Sequence, residues 1–238
     1  MINNAIILAG GLGTRLRSIV SGLPKCMAPV AGKPFLYYVI SHLQKQGVTD
    51  FIFSVGYKSK IIQSYLSSHF STLNYQLSIE DEPLGTGGAI KFSLSKVSSK
   101  NIIIANGDTF FKIDLKKLSS FHEASDATCT LNLKPMVHFD RYGVVDLNND
   151  GSIESFHEKQ FYKNGLINGG LYALNKNYFL KTEHPQIFSF EKDYLEKIVN
   201  NSGDKKEVYG IIQDEYFIDI GIPADYKKAQ EDFSHLAI

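Results

Sequence analysis

Four short apolar runs, at residues 5–9, 51–55, 75–79 and 101–105, constrain this chain more than any other feature. Each is largely β-branched or aromatic, and each reads as a strand buried on both faces, as in a parallel sheet covered by helices. Helical patterns lie between them. Over 33–46, Phe35, Leu36, Val39, Ile40 and Leu43 form one apolar stripe, with Pro34 suited to the first turn and Gly47 to the end. Ile61, Ile62, Tyr65 and Leu66 predict a second helix and residues 89–97 a third. Strands alternating with helices to about residue 125 predict an α/β layer on a parallel sheet.

The pattern then changes. Residues 127–134 (with Cys129, Leu131 and Leu133 alternating), 143–147, 153–157 and 166–174 read as strands. Short turns are expected between them at 148–151 (NNDG) and 163–165 (KNG). Helices return at 190–201 and 223–233. The predicted fold is a single Rossmann-like domain over 1–238, a three-layer α/β/α sandwich with a mixed, mostly parallel central sheet. Residues 1–125 make its first half, and residues 126–238 build onto the same sheet.

Composition narrows the function. The 238 residues carry 25 basic and 25 acidic side chains, so no basic excess points to nucleic acid as a partner. Two cysteines, Cys26 and Cys129, make neither a disulfide framework nor a structural zinc motif. The first apolar run is too short for a signal peptide and no run is long enough for a membrane span, so a reduced, cytoplasmic protein is expected.

Against that neutral background, the loop after the first strand stands out. Gly10, Gly11 and Gly13 are followed by Arg15, Arg17 and Lys25. Glycine-rich turns expose backbone N–H groups that cradle phosphate oxygens, and arginine holds phosphate with a permanently charged fork. The pairing favours phosphate binding over a solvated turn. A Walker loop is excluded because no lysine follows a glycine at the required spacing, and a dinucleotide fingerprint fails at Leu16, where its third small residue belongs. Lys25 sits on a loop stiffened by Pro24 and Pro29.

Three further stretches could carry chemistry. A second glycine-rich turn, within 80–90 (EDEPLGTGGAI), opens a helix; its small residues either admit a flat base or sugar or merely start the helix. Asn106, Gly107 and Asp108 end an apolar strand, and an acid there points into the ligand crevice of an open α/β sheet or forms a turn. Asp219 sits among Phe217, Ile218 and Ile220, where a carboxylate is costly unless paired or bound to metal. Asp108 and Asp219 together could hold Mg²⁺. Glu158, Lys159, Asn168 and Gly169 offer polar groups suited to a sugar or to a solvated strand end. Cys26 beside a basic loop could have a lowered pKa, but no histidine marks it as a nucleophile. Positioning and charge are therefore expected to carry the chemistry, with no covalent intermediate.

In combination these pieces resemble the sugar-1-phosphate nucleotidyltransferases. LAGGLGTRL (8–16) with PKCMAPV (24–30) is similar to the family's signature. PLGTGGAI, NGD, YGVV (142–145), EK (158–159), NGGLY (168–172) and DIGIPADY (219–226) follow in the family's order. Cys26 departs from the family's usual proline.

The resemblance implies a nucleotide-binding first half and a sugar-phosphate-binding second half. Leu8, Gly10, Gly11, Gly13, Thr14, Arg15, Glu82, Gly85, Thr86, Gly87 and Gly88 would contact the nucleotide. Asn106, Tyr142, Gly143, Glu158, Lys159, Asn168 and Gly169 would contact the sugar phosphate. Arg15, Lys25, Asp108 and Asp219 would be catalytic, the two acids holding Mg²⁺. The implied partners are a nucleoside triphosphate, with GTP preferred, and a sugar 1-phosphate, with a manno-heptose preferred over mannose and other hexoses. Neither nucleic acid nor membrane is an expected partner, and a homo-oligomer is compatible with the pattern. A non-catalytic nucleotide-sugar sensor is the reading from another functional class.

Overall fold

The computed structural model describes residues 1–11, 13, 16, 19–20, 22–201 and 207–235. The first half contributes strands β1 (Asn4–Leu8), β4 (Asp50–Val55), β5 (Asn74–Ile79) and β6 (Asn101–Asn106). Between them come a two-residue hairpin, β2 (Pro29–Val30) and β3 (Lys33–Pro34), and helices α1 (Phe35–Lys45), α2 (Ser59–His69) and α3 (Gly85–Ser93). After β6 follow a short ribbon strand β7 (Thr109–Phe111) and helix α4 (Leu115–Ala124). The second half supplies β8 (Cys129–Phe139), β9 (Val145–Leu147), β10 (Ile153–Phe156) and β11 (Tyr162–Asn175). It continues through α5 (Lys176–Lys181), a π-helical turn (Phe190–Leu195) running into α6 (Glu196–Asn201), β12 (Val208–Ile212), β13 (Phe217–Asp219) and α7 (Pro223–His235).

The central sheet has seven strands in the order β12-β8-β11-β6-β1-β4-β5. All are parallel except β11, which runs antiparallel to both β6 and β8. Strand pleating divides the core into two layers. Ala5, Ile7, Phe51, Phe53, Ile103 and Ala105 face one side with α1 and α7. Ile6, Ile52, Ile102 and Ile104 face the other, against Ile90 of α3, Phe179 of α5 and Tyr194. The run at 75–79 differs from its three companions: β5 is the sheet's edge, and its residues alternate in exposure.

Several boundaries moved. Pro34 caps α1 in an extended conformation, and Gly47, at φ +95°, ends it. α3 begins at Gly85, so the glycine-rich segment forms its first turn. The turn expected at 163–165 lies within β11, where Asn164 and Gly165 pair with Val137 and Met136 of β8. Gly165 is small for packing: a Cβ there would lie 2.6 Å from a Val144 methyl and 3.2 Å from the Phe139 ring. β11 does break register later, between Asn168 and Tyr172, at Gly169–Gly170. Gly170 has φ +68°, and a Cβ on Gly169 would meet the Phe111 ring at 2.4 Å, so this bulge needs both glycines.

Two buried histidines impose a pH limit on the fold. Burial pushes His42 and His122 down to about 4, and one ring nitrogen of each lacks a protein partner. Between their unfolded value of about 6.5 and about 4 the unfolded chain binds protons that the folded chain refuses, so stability falls as pH drops through that window. Each histidine accounts for up to about 3 kcal/mol at the acid end. Urea unfolding at pH 7.5 and 4.5 should show this loss, and His122→Gln should reduce it. An unchanged loss in that variant would remove His122 as a cause. Among the described residues, no helix is long and apolar enough to cross a membrane.

Candidate active site

The parallel strands end along one edge of the sheet and leave their last backbone groups bonded across it. The Ala9 amide donates to the Ser54 carbonyl at 2.8 Å, Gly107 to Leu8 at 2.9 Å, and Glu80 to Val55 at 2.8 Å. That edge, at the carboxyl ends of the strands, is where open α/β sheets bind ligands. Leu8 ends β1, and Gly10 follows it so closely against β4 that a Cβ would lie 3.2 Å from the Gly56 nitrogen. Gly11 has open space around its Cα. Gly13, at φ +57°, leaves no room for a Cβ, which would lie 2.8 Å from Cβ of Lys25. Thr14, Arg15 and Arg17 lie outside the described residues.

Lys25 and the two aspartates meet at this edge, although 83 and 194 residues separate the lysine from them in sequence. Asp108 directly precedes β7 and Asp219 ends β13, and these strands pair antiparallel with Asp219 opposite Thr109. The Ile220 amide closes the ribbon on the Asp108 carbonyl at 3.1 Å. Lys25 begins a 3₁₀ turn, Lys25–Met27, anchored by the buried Cys26 and Met27. Its Nζ donates to Asp108 Oδ2 at 2.5 Å and to Asp219 Oδ1 at 3.1 Å. The Gly221 amide also donates to Asp219 Oδ1, at 2.7 Å.

One ammonium cannot neutralise two carboxylates. Burial and the Asp108 charge push the Asp219 carboxyl above its ordinary value, with Lys25 pulling the other way. Burial acts to lower the Lys25 pKa, but the two acids outweigh it and hold the ammonium charged. The surplus negative charge suits a second cation. Hard carboxylate oxygens gathered around one cationic centre fit Mg²⁺, which takes one or two protein carboxylates and completes its shell from substrate phosphates and water. No group of three or more His, Cys, Asp or Glu side chains converges among the described residues, so these residues do not supply a full cage.

Beside this triad opens a cleft of about 410 Å³. Asp219, Asn106, Tyr142, Gly143, Glu158, Lys159, Asn168 and Gly169 all line it, so the second-half motifs converge there. The β11 bulge aims Asn168 inward: its Oδ1 accepts from Gly170 N at 3.0 Å and its Nδ2 donates to the Tyr172 hydroxyl at 2.9 Å. Tyr142 packs edge-on against Phe217, with ring centroids 5.9 Å apart. Gly143 permits a close crossing, since a Cβ would lie 2.4 Å from the His157 carbonyl.

The α3 glycines occupy a different setting from the open platform that was one expectation for them. A Cβ on Gly85 would lie 2.5 Å from the Phe188 carbonyl, one on Gly87 2.2 Å from the Phe188 ring, and one on Gly88 2.4 Å from the Gln186 carbonyl. Their small size admits the 186–190 segment. Thr86 is also engaged: its Oγ1 accepts from Phe190 N and donates to Glu191 Oε2, both at 2.8 Å. Glu82 is exposed on the connection before α3.

A family model described as nucleotidyl transferase matches residues 4–235. The chain belongs to the nucleotidyl transferase family. This transferase is 49% identical over 231 residues to a D-glycero-α-D-manno-heptose 1-phosphate guanylyltransferase of Aneurinibacillus thermoaerophilus, covering 97% of this chain and 98% of that one. A Campylobacter jejuni protein with the same name is 46% identical over 222 residues, covering 93% and 96% of the two chains. Among solved structures, HddC of Yersinia pseudotuberculosis in complex with GMP-PN superposes with a TM-score of 0.84 at 39% identity, covering 98% of this chain and all of that one.

Two acids of the transferase escaped the sequence reading. Glu80 follows β5 and lies beside Gly10; its Oε1 accepts from Ser54 Oγ at 2.8 Å and its Oε2 from Leu84 N at 3.2 Å. An acid at the carboxyl end of a strand is the same signal that marks Asp108. Glu191 lines the cleft and ties α3 to β11: Oε2 accepts from Thr86 and Ser189, and Oε1 from Tyr172 at 3.2 Å. No spacing rule marks it. The Cys26 expectation is corrected. Burial, with the Asp108 charge, pushes its thiol up to about 12, so the neighbouring lysine does not activate it.

Proposed function

We propose that this transferase joins GTP to D-glycero-α-D-manno-heptose 1-phosphate, forming GDP-heptose and pyrophosphate. The observation that carries the reading is the Lys25–Asp108–Asp219 cluster standing beside a polar cleft that Asp219 itself lines. Two relatives of nearly full length that carry this activity in their names support the choice of nucleotide and sugar.

A phosphate oxygen of the sugar forms the new bond to the nucleotide's α-phosphorus. The bond from that phosphorus to the β-phosphate oxygen breaks, and pyrophosphate leaves with its electron pair. The nucleophile is already anionic, so no general base is required. The obstacle is an anion approaching an anion, and positioned cations reduce it. Lys25 neutralises charge at the reacting phosphates, and Arg15 takes the departing pyrophosphate. Asp108 and Asp219 would hold Mg²⁺, which would supply further charge stabilisation at the phosphates.

Leu8, Gly10, Gly11, Gly13 and Thr14 serve the nucleotide's phosphates. Glu82 and residues Gly85, Thr86, Gly87 and Gly88 serve the base and ribose side, with Glu80 added to them. Lys159 holds the sugar phosphate. Asn106, Tyr142, Gly143, Glu158, Asn168 and Gly169 hold the sugar, with Glu191 and Glu196 adding acceptors for its hydroxyls.

A pyrophosphate-release assay tests the reading. It crosses GTP, ATP, UTP, CTP and dTTP with heptose, mannose, glucose and N-acetylhexosamine 1-phosphates, with and without Mg²⁺. The expected result is Mg²⁺-dependent release with GTP and the heptose phosphate, abolished by EDTA. Greater release with mannose 1-phosphate or another pair would replace the substrates and keep the reaction. Silence across the panel from folded protein would overturn the enzyme reading in favour of a sensor.

A further inference from the structure

We infer that Lys25 is a lock on the metal site: it holds the position between Asp108 and Asp219, and it yields that position when a nucleotide's phosphates offer it another partner. The inference rests on the reading of Asp108 and Asp219 as the metal carboxylates.

Three observations carry it. The Lys25 ammonium bonds one oxygen of each carboxylate, Asp108 Oδ2 and Asp219 Oδ1, so a cation entering between the two acids meets a cation already there. The remaining space around it is small. A Cβ on Gly221 would lie 3.0 Å from Lys25 Nζ and 2.9 Å from Asp219 Oδ1, so backbone packs directly against the lysine head and its acid partner. The base of the lysine is also held, because Gly13 packs against its Cβ and β-region backbone at Pro24 and Ala28 flanks its 3₁₀ turn. The side chain as a whole therefore stays in place, and only its distal methylenes and ammonium can swing.

The consequence is a coupling between two ligands. A divalent ion arriving alone must compete with an ammonium that already offsets one of the two carboxylate charges. Moving that ammonium away would leave it partly buried without a partner, which is costly. A nucleotide on the adjoining glycine-rich loop supplies anionic oxygens within reach of the swinging head. It accepts Lys25, frees the carboxylates and adds its own oxygens to the metal. Metal and nucleotide then each raise the other's affinity by the same factor, as linkage requires.

The test measures Mn²⁺ binding by the change in its EPR signal, without turnover. Wild type, Lys25→Met and Asp108→Asn are compared with and without α,β-methylene-GTP. Wild type should bind Mn²⁺ at least about tenfold more tightly with the analogue than without it. Lys25→Met should bind Mn²⁺ in the absence of nucleotide about tenfold more tightly than wild type does, and the analogue should add less than it does in wild type. Lys25→Gln, which keeps one amide donor for Asp108, should fall between them and serves if the methionine variant does not fold. Nucleotide-free affinity in folded Lys25 variants equal to or weaker than wild type would overturn the lock. Absence of Mn²⁺ binding to wild type even with the analogue, or undiminished binding to Asp108→Asn, would instead overturn the metal reading on which the lock rests.

Discussion

Asp108→Asn should lower kcat/KM by about 10²-fold or more while leaving the protein folded, an effect of about 3 kcal/mol on the transition state. The asparagine keeps the size of the side chain and one oxygen for Lys25, so the NGD turn survives. It loses the charge that binds the metal and pairs with the ammonium. Asp219→Asn should act in the same way, and the double variant should cost less than the two effects summed, because both acids serve one cation. Lys25→Ala should also lose about 10²-fold, since it removes a positive charge from the reacting phosphates. Asp214→Asn is the contrast: it removes an ion pair to Lys134, but that aspartate's side chain is 73% exposed, so the expected change in stability is within about 1 kcal/mol. Steady-state rates and thermal melts of all five variants decide the matter. Near-normal rates in Asp108→Asn and Lys25→Ala would end the assignment of this cluster as the catalytic centre.

Gly88→Ala is the second large effect, and it acts through packing. In an exposed helix, alanine for glycine gains about 1 kcal/mol of helix propensity. Here the added methyl would lie 2.4 Å from the Gln186 carbonyl and 2.9 Å from Cβ of Leu84. Backbone must move, and overpacking of this kind costs about 1–3 kcal/mol, which outweighs the propensity gain at its upper end. The 84–88 and 186–190 segments are also clasped by Gly87 N to Phe188 O at 2.9 Å and Phe188 N to Leu84 O at 3.1 Å. Displacing that clasp shifts Glu191, which follows it and bonds Thr86 and Tyr172. The variant should melt several degrees lower, at about 2–4 °C per kcal/mol for a chain of this size, and its KM for the sugar phosphate should rise. A higher melting temperature with unchanged KM would show that the segment gives way without consequence.

Local signals were dependable where local physics decides. The apolar runs became β1, β4 and β6 because a strand covered on both faces leaves little room for polar residues, while the 75–79 run became the half-wet edge strand β5. The stripe from Phe35 to Leu43 became α1, ended by Gly47 in a left-handed conformation. The Asn-Gly in 163–165 misled for the opposite reason. A turn dipeptide inside a long strand pairing can be there for packing, and only the Val144 and Phe139 contacts show that Gly165 is. The α3 glycines carried the same ambiguity: a short sequence shows that a small residue is present, and the neighbour that requires it lies about a hundred residues away.

By itself, the sequence determined the α/β layering, the glycine-rich and basic loop after the first strand, and the acids at the ends of β6 and β13. These follow from periodicity, backbone permissiveness and charge, which are properties of neighbouring residues. The tertiary structure alone decided that Lys25 stands between Asp108 and Asp219, that one antiparallel strand carries a bulge aiming Asn168 into the cleft, and that Glu191 ties Thr86 to Tyr172. Each depends on side chains far apart in the chain meeting within a few ångströms. Those meetings are set by the β7–β13 ribbon, the β8–β11 register and the seat of the 186–190 segment on α3, and no local pattern encodes such distances.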